Sequence, residues 1–348
     1  MRALLLAAAA TAGVLLASCT PKTHQLAACT PGDNVLCDIN GPEDIEIIPG
    51  SRWLMTTGKH GDARLVLFDP KTREIKPLLV GKPTPTETEN FPRCGAPPDQ
   101  IGTGSFHLSN RDDGTFRLLV NNRGRIERYS MAVNGDDFTI GWEGCVKTPD
   151  ELSPNDLAAL GDDGIVISHT YDRPRTFWTD VQLFFGREIG GAFRWTKTDG
   201  WSRIPNSQAA FANGMQVDQK TQRIYIASMY NQRIIAINAD GSNRQVSEKV
   251  PQQNDNLSWT EDGKLIGVGN TSLPIIGTRL CRDLNGPPCT FPFAVIEMDP
   301  KTLAFKTIYR MDDETIPGAS IAVLKDGTIY LGSTWGDRIT MVKPIATK

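Results

Sequence analysis

The sequence predicts an all-β chain that closes as one six-bladed β-propeller, and three observations predict it. A phrase made of a polar residue, an apolar strand, a D/N-G or P-G turn and a second β-rich strand can be read six times. The residues that open successive phrases lie 64, 48, 58, 42 and 65 positions apart, and one four-stranded blade needs about 40 to 50 residues. Residues 29–348 carry many short alternating strands punctuated by Gly, Asp and Asn, over a length that sandwiches and barrels rarely need. A seventh blade would require another phrase, and there is none.

The copies run in order along the chain. Glu43-Asp44-Ile45-Glu46-Ile47-Ile48-Pro49-Gly50 leads to Trp53-Leu54-Met55, and His107 leads through Asp113-Gly114 to Phe116-Arg117-Leu118-Leu119-Val120. Asn155-Asp156-Leu157 leads through Asp163-Gly164 to Ile165-Val166-Ile167, and Asn213-Gly214-Met215 leads to Arg223-Ile224-Tyr225-Ile226-Ala227. Asp255-Asn256-Leu257 leads through Asp262-Gly263 to Leu265-Ile266-Gly267, and Ser320-Ile321-Ala322 leads through Asp326-Gly327 to Thr328-Ile329-Tyr330-Leu331. Two outer strands are also legible, because Leu65-Val66-Leu67-Phe68 and Val295-Ile296-Glu297-Met298 precede the near-identical turns Asp69-Pro70-Lys71-Thr72 and Asp299-Pro300-Lys301-Thr302.

Ahead of the repeats, Arg2 and the apolar run Ala3 to Leu16 read as a secretory signal, too short to remain as a bilayer-spanning helix. The run ends Leu16-Ala17-Ser18-Cys19, the pattern of a lipoprotein signal in which residues 1–18 are removed and the Cys19 thiol carries a diacylglycerol. An ordinary signal cut a few residues away is the alternative. Residues 19–28 then read as a lipidated tether and 29–348 as the single propeller domain, exported and anchored in a bacterial cell envelope. Removing Arg2 takes the formal charge from -3 to -4, and no basic stripe exists to meet a nucleic acid.

The six cysteines after Cys19 form an even set, which favours disulfides in an oxidising compartment, and no CxxC spacing argues for zinc. Fifteen connectivities are open to six cysteines. The preferred one joins the close pairs Cys29–Cys37 and Cys281–Cys289 and leaves Cys94–Cys145, bringing their loops together at one edge of neighbouring blades.

In a propeller the first strand of every blade lines the central channel, so the residues opening the phrases converge on one mouth. They are Glu43, His107, Asn155, Asn213, Asp255 with Asn256, and Ser320. Each alone is an ordinary strand-end or turn residue; together they are a site. Glu43, Asn155, Asn213, Asp255 and Asn256 offer only oxygen donors, an inventory that suits calcium better than magnesium or zinc. Asp44 and Asp156 follow two of these residues directly. Alternation along a strand turns them the other way, where they are expected to hold a second calcium deeper in the channel, unless they only bond to strand ends.

The segments Pro42-Glu43-Asp44-Ile45-Glu46-Ile47, Asn155-Asp156-Leu157-Ala158-Ala159-Leu160-Gly161, Phe211-Ala212-Asn213-Gly214 and Asp255-Asn256-Leu257-Ser258 resemble, in order, the ligand segments of the paraoxonase/arylesterase family. These are calcium-dependent six-bladed propellers that hydrolyse lactones and aryl esters, and the gluconolactonase and senescence-marker propellers are more distant kin. The resemblance implies a catalytic calcium on Glu43, Asn155, Asn213, Asp255 and Asn256 and a structural calcium on Asp44 and Asp156. It places His107 where the family carries a water-activating histidine. Asn122 stands where the family has a relay histidine, so His107 acts alone or Glu43 or Asp255 serves as the base. No Cys follows Cys289 to close the ring covalently, so strand pairing between the two ends is expected instead. The aromatic stretch Tyr171 to Trp195, with Trp178, Phe184 and Phe185, resembles the family's pocket wall and otherwise reads as an extended outer hairpin.

The chemistry implied is hydrolysis of a small ester or lactone. Two other classes remain: a surface lipoprotein propeller that binds a partner and uses calcium structurally, and a different calcium-dependent hydrolase or isomerase of the wider superfamily.

Overall fold

The computed structural model describes residues 26–58, 65–78, 84–85, 91–99, 101, 104–272 and 290–345. The signal segment, Cys19, most of the tether and the Cys281–Cys289 pair lie outside the described residues.

The six phrases fold as six small sheets, each taking up its own backbone hydrogen bonds. Blade 1 comprises Ile45–Ile47, Leu54–Thr57, Leu65–Phe68 and Ile75–Pro77. Blade 2 comprises Phe106–Asn110, Phe116–Asn122, Arg125–Asn134 and Asp137–Lys147, with Thr84–Pro85 as a parallel fifth strand on its rim. Blade 3 comprises Pro154–Leu160, Gly164–His169, Gly191–Thr196 and Gly200–Arg203. Blade 4 comprises Ala212–Asp218, Arg223–Ser228, Arg233–Asn238 and Gln245–Val246. Blade 5 comprises Gln253–Trp259, Leu265–Asn270, Phe291–Met298 and Phe305–Ile316. Blade 6 takes Ala319–Lys325, Thr328–Ser333 and Arg338–Val342 from the C-terminal end and its outermost strand, Val35–Cys37, from the N-terminal end. The ring therefore closes by antiparallel pairing of the two ends, as the missing C-terminal cysteine leads one to expect.

The turns follow from their residues. Asp326 and Gly327 both have positive φ, 50° and 67°, and link the paired residues Lys325 and Thr328. Two left-handed residues match the twist of a two-residue hairpin, and Asp-Gly tolerates that conformation. The core is a ring of six apolar clusters, one between each pair of neighbouring blades. Trp53 and Met55 of blade 1 meet Phe106 and Leu118 of blade 2, for example, and Ile45 and Leu54 meet Ile321 and Val323 of blade 6. Burial of this kind contributes about 25 cal/mol per Å² and leaves the channel faces free for polar side chains.

Two of the expected bridges lie within the described residues. Cys29–Cys37 joins Cα atoms 5.8 Å apart beside the closing strand. Cys94–Cys145 joins Cα atoms 5.2 Å apart, but within one blade: residues 91–99 lie along the outer strand of blade 2, where Cys145 N donates to Pro92 O. The expectation of a bridge between neighbouring blades is corrected accordingly. Disulfides belong to an oxidising, extracellular or periplasmic compartment. No helix among the described residues is long and apolar enough to cross a membrane.

Candidate calcium centre at the channel mouth

Four of the six inner strands carry a register shift where they enter the channel. The shifts fall between Pro154 and Leu157, Ala212 and Met215, Asn254 and Leu257, and Ala319 and Ile321. Asn155-Asp156, Asn213-Gly214, Asp255-Asn256 and Ser320 are therefore the residues inside the bulges. A bulge sets an extra residue against the partner strand and re-aims its side chains. Strict alternation along these strands, the basis for separating Asn155 from Asp156, does not hold where they matter most. The sequence contains the signal, a polar pair interrupting an apolar strand, but not the extra residue in the register.

Contacts link the mouth residues from one blade to another. Asn256 Nδ2 donates to Glu43 O over 3.2 Å, and Ser320 Oγ donates to the same oxygen over 2.8 Å. Gly214 lies so close to its neighbour that a Cβ would collide with Asn256 Cα and Asp255 O. Ser105 Oγ donates to Asn155 O over 2.8 Å, and a Cβ on Gly104 would stand 2.5 Å from Glu43 Oε2. The segments that carry Glu43, Asn155, Asn213, Asp255 and Asn256 are thus linked through Glu43 O, Asn155 O and the close approach of Gly214 to Asp255 and Asn256.

The amide orientations indicate what the mouth can hold. Asn213 Nδ2 donates to Met229 Sδ over 3.3 Å, and Asn256 Nδ2 is taken by Glu43 O. Both NH₂ groups are used, and both carbonyl oxygens, Asn213 Oδ1 and Asn256 Oδ1, are buried with no hydrogen-bond partner. A buried acceptor left unsatisfied costs about 1 to 3 kcal/mol. Calcium approaches oxygen to 2.3–2.6 Å, nearer than a water molecule, so oxygens closed to water suit it. Two carboxylates and three amides are a hard-cation donor set. Among the described residues no group of three or more His, Cys, Asp or Glu is spaced to hold a metal by itself, so any ion here would depend on the amides.

Asp44 and Asp156, which follow Glu43 and Asn155, are buried. Asp44 accepts from Ile45 N at Oδ1 and from Phe106 N at Oδ2; Asp156 accepts from Leu157 N and Met215 N in the same manner. Burial raises Asp44 well above the usual carboxylate range, and the charges of Asp156 and Glu46 raise it further. Burial carries Asp156 up to about 7, with Glu43 adding to it. Glu46, which the sequence reading did not single out, is pushed up to about 8 by burial and by Asp156. No lysine or arginine among the described residues pairs with these three carboxyls. The cluster therefore holds its protons to higher pH than free carboxyls do.

His107 has a different occupation. Its Nδ1 accepts from Ala159 N of blade 3 over 3.4 Å, and burial, helped by Arg117, lowers its pKa to about 4. It is one link in a closed series of side chains that each bond the backbone of the next blade. Asp44 accepts from Phe106 N, His107 from Ala159 N and Asp156 from Met215 N. Gln216 donates to Leu257 O, Ser258 to Ala322 O and Ser320 to Glu43 O. A neutral imidazole accepting at Nδ1 carries its proton on Nε2 and offers the channel a donor. That geometry fits a blade clamp better than a general base. Asn122, at the relay position, donates from Nδ2 to the fully buried Glu127, which also takes Trp142 Nε1 and pairs with Arg125.

The aromatic stretch forms a helix, Phe177–Phe184, capped by Thr176 and Thr179, rather than an outer hairpin. Trp178, Phe184 and Phe185 are 69, 55 and 74 % exposed. Their isolation on a one-sided helix, with only Leu183 buried, is the physical reason. Phe211, two residues before Asn213, lies between Tyr171 and Tyr230 in tilted contacts at centroid distances of 6.1 and 5.1 Å. Burial raises the Tyr230 phenol, and Asp255 is among the charges that act on it. Phe211 stood in a quoted ligand segment, but nothing in the sequence brought Tyr230 to it.

Fold and mouth together define a six-bladed propeller with a polar, oxygen-rich channel entrance. No protein-family model matches the chain, and no curated protein matches it significantly. Solved structures do. A gluconolactonase from Xanthomonas campestris is 15% identical with a TM-score of 0.51, over 94% of this chain and 98% of that one. A luciferin-regenerating enzyme is 12% identical with a TM-score of 0.50, over 90% and 94% of the two chains. A DUF4221 family member from Bacteroides vulgatus is 10% identical with a TM-score of 0.51, over 92% and 96%. At such identities the likeness is one of fold. It includes a gluconolactonase and does not single out the paraoxonase/arylesterase branch.

Proposed function

We propose that the chain is a calcium-dependent hydrolase of lactones or aryl esters, exported and lipid-anchored through Cys19 in a bacterial cell envelope. The observation that carries the reading is the pair of buried, unpartnered amide oxygens, Asn213 Oδ1 and Asn256 Oδ1, on two segments that abut through Gly214. Likeness of fold to a gluconolactonase and the ligand-segment resemblance support it. Glu43, Asn155, Asn213, Asp255 and Asn256 would hold the ion at the mouth, and Asp44 and Asp156 a second one below.

Bound calcium supplies a charge that polarises the ester carbonyl and stabilises the oxyanion. The chain supplies the rest. Glu43 O, fixed by Asn256 and Ser320, locks blades 5, 6 and 1 so that the donors do not spread. A carboxylate oxygen of Glu43 or Asp255 takes the proton of the attacking water, because the Nδ1 lone pair of His107 is committed to Ala159. Tyr171, Phe211 and Tyr230 give the acyl or aryl part of the substrate an apolar side to rest on.

A second reading, a partner-binding propeller with structural calcium, is favoured by the same commitment of His107 and by Asn122 in place of a relay histidine. Incubating residues 20–348 with a panel of lactones and aryl esters, with and without chelator, separates the two. Chelator-sensitive hydrolysis supports the enzyme; calcium binding without hydrolysis of any member supports the platform.

A further inference from the structure

An asparagine side chain presents oxygen from one end and NH₂ from the other, and a half-turn about its last bond exchanges them. Which end faces the channel decides whether the mouth attracts a cation or an acceptor. Asn213 lies in the bulge at Ala212–Met215, and the group that meets its amide bears on that half-turn. For Asn256 that group is the backbone carbonyl of Glu43. For Asn213 it is a side chain, Met229, whose Sδ lies 3.3 Å from Nδ2.

Resting on the calcium reading above, we infer that Met229 is a positioning residue that makes Asn213 an oxygen donor. A thioether accepts weakly and cannot donate, so it bonds the NH₂ end of the amide and repels the carbonyl end. Serine, asparagine or glutamine in its place could donate to Oδ1 and compete with the ion, and aspartate would add a charge. The sulfur is itself well placed. Met229 follows Ser228, the cross-strand partner of Ala212, and its backbone N–H donates to Phe211 O over 3.2 Å while its carbonyl accepts from Gln232 N over 3.2 Å. The side chain therefore hangs directly behind the bulge. Asn213 Oδ1, turned away from the sulfur, is left buried and without a partner.

The test is a calorimetric calcium titration of the mature chain, Met229→Leu, Asn213→Ala and the double variant, with melting in chelator as the folding control. Losing one weak acceptor predicts a roughly three- to tenfold weaker calcium affinity for Met229→Leu. In the Asn213→Ala background the same change should alter affinity by less than about twofold, since the amide it orients is gone. Wild-type affinity in Met229→Leu overturns the inference, as does an equal loss in both backgrounds, which would mark a packing role only. If the wild-type chain binds no calcium, the metal reading falls and takes this inference with it. Where the leucine variant does not fold, Met229→Ala is read in the same cycle.

Discussion

In chelator, raising the pH sets the channel carboxyls against one another. Carboxyls of the unfolded chain titrate near 4, whereas burial carries Asp156 to about 7 and Glu46 to about 8 in the folded chain. The folded state thus binds more protons across that interval, and a state that does so loses stability as the pH rises. Between pH 7 and 9 the unfolded carboxyls are already ionised. The buried histidines His107 and His169, whose folded values are lowered, are almost neutral in both states and add little slope. Deprotonating Asp156 and Glu46 then costs on the order of 2 kcal/mol together, with Asp44 acting in the same direction. Thermal melts in chelator should fall by roughly 3 to 5 °C from pH 7 to 9. In saturating calcium the ionised forms are favoured, so the melt should be higher and nearly flat over that range. A flat melt in chelator, or an equal slope with and without calcium, would refute the reasoning.

Asn213→Ala removes a buried neutral oxygen, so calcium affinity and hydrolysis should fall together by about tenfold or more; calorimetry beside initial rates checks this, and undiminished affinity counts against the site. His107→Gln should leave calcium affinity nearly intact, keep at least about a third of turnover and lower the melting temperature, because it breaks the bond from blade 2 to Ala159. A fall in turnover of about two to four orders of magnitude would instead restore His107 as the base. Replacing Cys94 and Cys145, separated by 51 residues, should cost about 1 to 2 kcal/mol more stability than replacing Cys29 and Cys37, separated by 8, by the chain-entropy argument; equal losses in denaturant unfolding would contradict that ordering.

Repetition made the fold legible. An apolar strand, a Gly-bearing turn and a second strand recurring at blade length leave few architectures open, and the absence of a late cysteine pointed to strand pairing between the two ends, which Val35–Cys37 and Arg338–Val342 make. The same repetition is what singled out the mouth residues, since in a propeller whatever opens each phrase is expected at the channel. What stayed hidden depends on contacts between distant segments. The bulges at Asn155-Asp156 and Asp255-Asn256 exist only relative to their partner strands. The bond from Ala159 N to His107 joins two blades whose spacing no local pattern encodes. Phe177 to Phe185 reads as aromatic wall by composition, but Thr176 and Thr179 cap it as a helix that turns its rings to solvent.

The most direct test of the central claim is the rate of hydrolysis of a medium-chain lactone by residues 20–348, measured after exhaustive chelation and again after calcium is restored. Activity should vanish with the ion and return in full with it, and Asn213→Ala should shift the calcium concentration needed for half recovery upward. Hydrolysis that survives chelation, or none across a panel of lactones and aryl esters with calcium saturating, would contradict a calcium-dependent hydrolase.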